Sequence, residues 1–296
     1  MKTKLLKLVM AVSMSLLFYS LGAAAERITV ENVGFATPES VEYYAAEDVY
    51  LVTNINGSPL EADGNGFISK ISPDGKVIDL KWIDGTASGT NLNAPKGAAI
   101  NRGILYVADL DEVHLFELPS GKQKASVKIK GSTFLNGITP GDDNSVYVTD
   151  SGLKGGEGGF VPSGTDAVYQ VTAAGKYRAI VKDKDMGRPN GIISHDNGLV
   201  IVTFGSGEVY RMDKKGNRSS LPAPPNGALD GLLRMDDGSF LISSWGGSAI
   251  YRLAKDGAYS TVADGLDAPA DLGFDSKRER VLVPLFKQNK VAILPL

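Results

Sequence analysis

Ala167-Val168-Tyr169-Gln170-Val171, closed by Gly175, decides the fold because the chain repeats it. The same short strand and turn glycine recur as Phe67-Ile68-Ser69-Lys70-Ile71 before Gly75 and Val113-His114-Leu115-Phe116-Glu117-Leu118 before Gly121. Two more copies are Glu208-Val209-Tyr210-Arg211-Met212 before Gly216 and Ala249-Ile250-Tyr251-Arg252-Leu253 before Gly257. A sixth, Lys290-Val291-Ala292-Ile293-Leu294, runs into the C-terminus. Apolar and polar residues alternate in each, the two-residue period of a half-buried strand. Ahead of each copy lies a second strand, at residues 49–53, 105–108, 146–149, 199–203, 240–243 and 281–284. Ahead of that a third element opens on a short motif. The motifs are Pro38-Glu39-Ser40, Pro95-Lys96-Gly97, Leu135-Asn136-Gly137, Pro189-Asn190-Gly191, Leu229-Asp230-Gly231 and Pro269-Ala270-Asp271. A unit of about 40 residues with three or four strands, and no long helical pattern, predicts an all-β chain. The expected fold is a six-bladed β-propeller with four-stranded blades.

The repeat also says how the ring closes. Five units carry a fourth strand after the turn glycine, such as Tyr177-Arg178-Ala179-Ile180-Val181, whereas the sixth ends at Leu296 without one. Residues 28–33, Ile28-Thr29-Val30-Glu31-Asn32-Val33, form a strand with no unit of their own. They are expected to pair as the outer strand of the last blade, because an open sheet edge leaves backbone donors and acceptors unpaired.

The first 25 residues stand apart. Lys2, Lys4 and Lys7 precede an apolar run at residues 8–21, and Ala23-Ala24-Ala25 supplies small residues for a peptidase. This is the pattern of a signal peptide cleaved before Glu26, which leaves residues 26–296 as one exported domain, in a bacterial periplasm by expectation. There is no cysteine for lipid attachment and no second apolar stretch, so no stable membrane anchor is expected. Losing the three lysines from 31 basic side chains leaves 28 against 34 acids, a net charge of −6. An acidic surface does not attract nucleic acid or anionic lipid. The absence of cysteine removes disulfides, thiolate metal sites and thiol nucleophiles.

The middle residues of the six motifs are Glu39, Lys96, Asn136, Asn190, Asp230 and Ala270. First strands are innermost in a propeller, so these positions converge on the axis. Carboxylate and amide oxygens gathered there suit a hard cation such as calcium. Two intervals exceed the common repeat because of insertions at residues 54–66 and 151–165. Both fall between second and third strands, and both should overhang the polar ring. The ends of the second strands, Asn54, Asp109, Asp150, Phe204 and Trp245, are expected to point there as substrate-binding residues, with Lys96 as a further one. The glycine-rich residues 152–164 lack the Gly-Lys-Ser/Thr of a phosphate loop. His114 and His195 have no triad partners in view, and no Gly-x-Ser-x-Gly elbow is present.

With these residues in hand, the chain resembles the regucalcin, gluconolactonase and luciferin-regenerating-enzyme family of six-bladed propellers. The likeness rests on Pro189-Asn190-Gly191-Ile192, Asp230-Gly231 and Val146-Tyr147-Val148-Thr149-Asp150-Ser151, and runs over the whole mature chain. It implies an axial divalent metal held by Glu39, Asn136, Asn190 and Asp230, calcium by preference, with zinc or manganese as alternatives. It further implies hydrolysis of a small polar lactone or ester, with Asp230 as general base. Two features depart from the family pattern: Glu39-Ser40-Val41 replaces Glu-Gly-Pro, and Lys96 enters the ring. An ammonium paired with Glu39 or Asp230 would neutralise the ring without metal. The alternative function is a non-catalytic envelope propeller that binds a small ligand or a protein partner, since one fold hosts both kinds of activity.

Overall fold

The computed structural model describes residues 26–296, so the expected signal peptide lies outside the described residues. The chain opens with β1 (Ile28–Val30) and then builds six blades in order. Blade 1 is β2 (Pro38–Tyr44), β3 (Val49–Asn54), β4 (Phe67–Ile71) and β5 (Val77–Asp84). Blade 2 is β6 (Pro95–Asn101), β7 (Ile104–Asp109), β8 (Glu112–Glu117) and β9 (Lys122–Lys128). Blade 3 begins with β10 (Leu135–Pro140) and β11 (Ser145–Asp150), then inserts a hairpin, β12 (Leu153–Gly156) and β13 (Gly159–Pro162). It is completed by β14 (Ala167–Thr172) and β15 (Tyr177–Lys182). Blade 4 is β16 (Pro189–His195), β17 (Gly198–Thr203), β18 (Val209–Met212) and β19 (Arg218–Ser220). Blade 5 is β20 (Leu229–Arg234), β21 (Phe240–Ser244), β22 (Ala249–Leu253) and β23 (Tyr259–Ala263). Blade 6 has β24 (Gly273–Asp275), β25 (Arg280–Leu285) and β26 (Lys290–Pro295), with β1 as its fourth strand.

Closure follows the expectation. β1 runs antiparallel to β26, with Ile28 opposite Ile293 and Val30 opposite Val291. The pairing is shorter than residues 28–33, because Asn32 and Gly34 take positive φ and bend the chain away toward blade 1. Glu31 and Lys290 form an ion pair at 2.5 Å beside the seam.

Six apolar clusters fill the six seams between neighbouring blades. The seam between blades 2 and 3, for example, packs Tyr106 and Leu115 against Val146 and Tyr169. The core is therefore a ring of interfaces around an axis that stays free for polar groups. Among the described residues no helix is long and apolar enough to cross a membrane.

The innermost strands carry the feature that places the site. Registers shift between Pro38 and Val41, Pro95 and Ala98, Leu135 and Ile138, Pro189 and Ile192, and Leu229 and Leu232. Such irregularities re-aim side chains, and here each falls on an opening motif. The glycines that follow are not turn residues. Gly97, Gly137, Gly191 and Gly231 lie within strands and touch the next blade. A methyl on Gly137 would stand 2.3 Å from the carbonyl oxygen of Asn190, and one on Gly191 2.3 Å from that of Asp230. Hydroxyls bind the same level together. Thr53 bonds the Lys96 carbonyl, Thr149 that of Asn190 and Ser243 that of Ala270, at 2.8–2.9 Å. Gly137→Ala should cost about 1–3 kcal/mol by overpacking. Thermal unfolding should show the loss, while Gly155→Ala, which meets only a Leu60 methyl at 3.5 Å, stays near wild type.

Candidate active site

A cavity of about 480 Å³ sits on the axis above this level. Glu39, Lys96, Asn136, Asn190 and Asp230 reach it from five successive blades. Both insertions overhang it, the first through Ile55 and Pro59 and the second through Leu153 and Phe160. The glycine-rich insertion is a two-stranded hairpin rather than a plain loop, with Lys154 opposite Val161.

The floor is polar and short of partners. Glu39 and Asp230 are 4% and 3% exposed. Among the described residues, Glu39 Oε2, Asp230 Oδ1 and the indole Nε1 of Trp245 are buried without a hydrogen-bond partner. Burial lifts the Glu39 carboxyl well above its usual range, the charges of Asp230 and Asp271 lift it further, and Lys96 opposes them. Burial and Asp271 also raise Asp230, while the Trp245 indole and the Asn190 amide hold it down. Asp271 itself is pushed up to about 7, chiefly by burial. Asn136 donates its amide to Ser151 Oγ at 3.2 Å.

These acids bind protons more tightly folded than unfolded. Between roughly pH 4 and 7 the folded state therefore holds more protons, and stability falls as pH rises. Cation-free protein should melt several degrees higher near pH 5.5 than near pH 7.5, and saturating calcium should narrow that gap. Calorimetry at the two pH values checks the sign.

Lys96 does not neutralise the ring by contact. Its ammonium donates to the Ala94 carbonyl at 3.0 Å and lies 4.3 Å from the centre of the Phe134 ring. Among the described residues it forms no ion pair, so the pairing with Glu39 or Asp230 that would neutralise the ring without metal is not made. Burial lowers it to about 8, with Asp109 and Glu39 opposing. The two acids are thus left with free oxygens.

Three expected substrate-binding residues face elsewhere. The Asn54 side-chain oxygen accepts from Ala36 N–H at 3.0 Å. Asp109 accepts from Asn93 and Ala94 N–H, and Asp150 from Thr133, Phe134 and Gly152 N–H. All three are fully buried and fix the loops that enter β2, β6 and β10. The correction is a one-residue slip. Phe204 and Trp245 follow the last residues of β17 and β21, so their equivalents one past each strand end are Ile55, Leu110, Ser151 and Phe286. All of these except Leu110 line the cavity. Adjacent strand residues face opposite sides, so a slip of one exchanges a loop brace for a cavity wall.

The alignment of six units also exposes residues that sequence reading missed. Phe286 is the sixth copy of the Trp245 position. Phe134 and Arg188 directly precede the opening motifs of blades 3 and 4 and border the cavity. Arg188 has φ of 60°, and Thr37, Ala228 and Ala268 share this left-handed conformation in the same place. Backbone held in such conformations clusters where a chain must aim a side chain. Phe160 on the hairpin carried no repeat signal. His114 is buried between Asp109 and Ser126, and His195 lies beside Asp196, so neither enters the cavity.

No family model matches the chain, and no curated protein matches it in sequence. Solved structures do match in shape. A gluconolactonase from Xanthomonas campestris superposes with a TM-score of 0.69 at 17% identity, over 88% of this chain and 87% of that one. This chain has a gluconolactonase-like propeller fold. A virginiamycin B lyase from Staphylococcus aureus superposes on the propeller with a TM-score of 0.64 at 16% identity, over 92% and 98% of the two chains. A streptogramin B lyase gives 0.63 at 14% identity, over 92% and 97%. At such identities the likeness is one of architecture.

The ring fits a hard cation. Among the described residues no three His, Cys, Asp or Glu side chains gather around one metal position. Two carboxylates must therefore be completed by the amides of Asn136 and Asn190. Oxygen donors of this kind suit calcium, and the unpartnered oxygens of Glu39 and Asp230 are available to such a cation.

Proposed function

We propose that the axial cavity is the active site of a divalent-cation-dependent hydrolase that opens a lactone or ester. The observation that carries this reading is the pair of buried carboxylate oxygens, Glu39 Oε2 and Asp230 Oδ1, left without partners at the cavity floor. Glu39, Asn136, Asn190 and Asp230 would hold the cation, calcium by preference. When bound, it would supply Lewis-acid polarisation of the ester carbonyl.

The remaining chemistry belongs to side chains. Asp230 takes a proton from water as the water oxygen attacks the carbonyl carbon, and returns it to the departing alkoxide oxygen. With one carboxylate oxygen given to the cation, the other would remain to accept that proton. The Trp245 indole N–H lies near enough to the same carboxylate to favour its charged form, without the close geometry of a full hydrogen bond. The two insertions and the aromatic wall limit the access of bulk water, which strengthens each electrostatic interaction within.

The lyase neighbours supply a contrast. A histidine-to-alanine variant of the Staphylococcus aureus enzyme, with quinupristin, is described as catalytically inactive. Neither His114 nor His195 borders this cavity, so a histidine-driven elimination finds no corresponding group here. An envelope location follows from reading the N-terminal segment as an export signal.

Calcium-loaded mature protein should hydrolyse lactones in a pH-stat assay, and chelation should stop it. Absence of turnover on any lactone or ester with calcium, zinc or manganese would contradict the proposal.

A further inference from the structure

We infer that this cavity selects a substrate with an aromatic or otherwise apolar body, rather than a polyhydroxylated one. The inference rests on reading the cavity as the active site and replaces the expectation of a small polar substrate. Above the polar floor, Phe134 and Phe160 rise from blade 3, their ring centres 5.7 Å apart and edge to face. Phe204, Trp245 and Phe286 rise from blades 4, 5 and 6, with neighbouring centres 5.3 and 5.0 Å apart. Blade 3 stands opposite blade 6 in a six-membered ring. The two aromatic groups line the cavity walls from blade 3 round to blade 6, and Ile55, Pro59 and Leu153 extend that apolar lining.

Hydrogen-bonding groups on those walls are few and largely engaged. The Ser151 hydroxyl donates to the Pro189 carbonyl at 2.7 Å and accepts from Asn136. The Lys96 ammonium is bound to Ala94. Arg188 and Lys287 are the remaining polar side chains above the floor, and the Lys287 ammonium sits 5.4 Å from the Trp245 ring with its side chain 58% exposed. Against these rings a sugar lactone would strip water from hydroxyls for which only the floor, Lys96 and Arg188 offer partners, which is unfavourable. A flat aromatic body loses no hydrogen bonds there and gains contact with the rings. The carbonyl would lie at the floor beside Asp230 and Trp245, and a cavity of this volume falls in the ordinary range for small-molecule sites.

The experiment separates ligand class from catalysis by measuring binding of hydrolysis products. Titrate the calcium-loaded protein with 3-(2-hydroxyphenyl)propionate and with gluconate, the hydroxy acids released from dihydrocoumarin and glucono-δ-lactone. The aromatic acid should bind at least about tenfold tighter, and Phe160→Ala should remove most of that preference. Phe160 is 49% exposed on the hairpin, so its truncation leaves the propeller seams intact. Equal or tighter binding of gluconate, or no binding of either acid, overturns the inference. Turnover of the two parent lactones is read separately. Tight binding of the aromatic acid with neither lactone opened would uphold the apolar ligand class and remove the hydrolase reading.

Discussion

Removal of residues 26–33 from the mature protein lowers its melting temperature by about 10 °C. The arithmetic starts from Val30, 3% exposed and packed with Val291, Ile293 and Leu282. Burying a side chain of this size is worth about 1.5–3 kcal/mol. The ladder to β26 and the partial burial of Ile28 raise the total to roughly 4 kcal/mol. For a chain of this size each kcal/mol moves the melting temperature by about 2–4 °C. The deletion also bares the edge of β26, so the shortened protein should self-associate more readily. Calorimetry with light scattering reads both effects. An unchanged melting curve would mean that β1 does not close the ring.

The second large effect is on catalysis. Asp230→Asn keeps the shape of the side chain, and its position on β20 is set by the backbone contact between Gly191 and the Asp230 carbonyl. The fold should therefore persist. What is lost is a carboxylate that both accepts a proton and helps to hold the cation. Removing a general base costs about 10²–10⁴ in rate, and the weaker cation site adds to that. Lactone hydrolysis at a calcium concentration that saturates the wild type should fall at least about a thousandfold. A variant with near wild-type turnover would remove Asp230 from the chemistry, while Asn136→Ala would still report on cation binding.

The architecture was legible because a propeller writes the same unit six times. Alternating stretches such as Ala249-Ile250-Tyr251-Arg252-Leu253 and the unpaired strand at residue 28 carry strong local signals, and both appear where expected. The inner ring was legible for the same reason: five motif positions reach one cavity. The cavity wall was harder. Asn54, Asp109 and Asp150 looked like ligand groups because they are polar at strand ends, but in place they bind backbone N–H groups. Only the register of β17, β21 and β25 shows that the wall lies one residue further on. The role of the glycines in the Asn-Gly and Asp-Gly pairs is close approach between blades, which depends on the neighbour and not on the motif itself. Phe160 could not be found from the repeat, because it belongs to an insertion that only blade 3 carries.

The central claim is that the axial ring of Glu39, Asn136, Asn190 and Asp230 is a cation site, and one titration tests it. Mature protein is stripped with chelator, and its melting temperature is followed near pH 7.5 as calcium is added. A cation that binds only the folded state at a hundredfold excess over its dissociation constant adds about 2.7 kcal/mol. The account predicts a saturable rise of about 5–10 °C, abolished in Asp230→Asn. A melting temperature indifferent to calcium, zinc and manganese would contradict it.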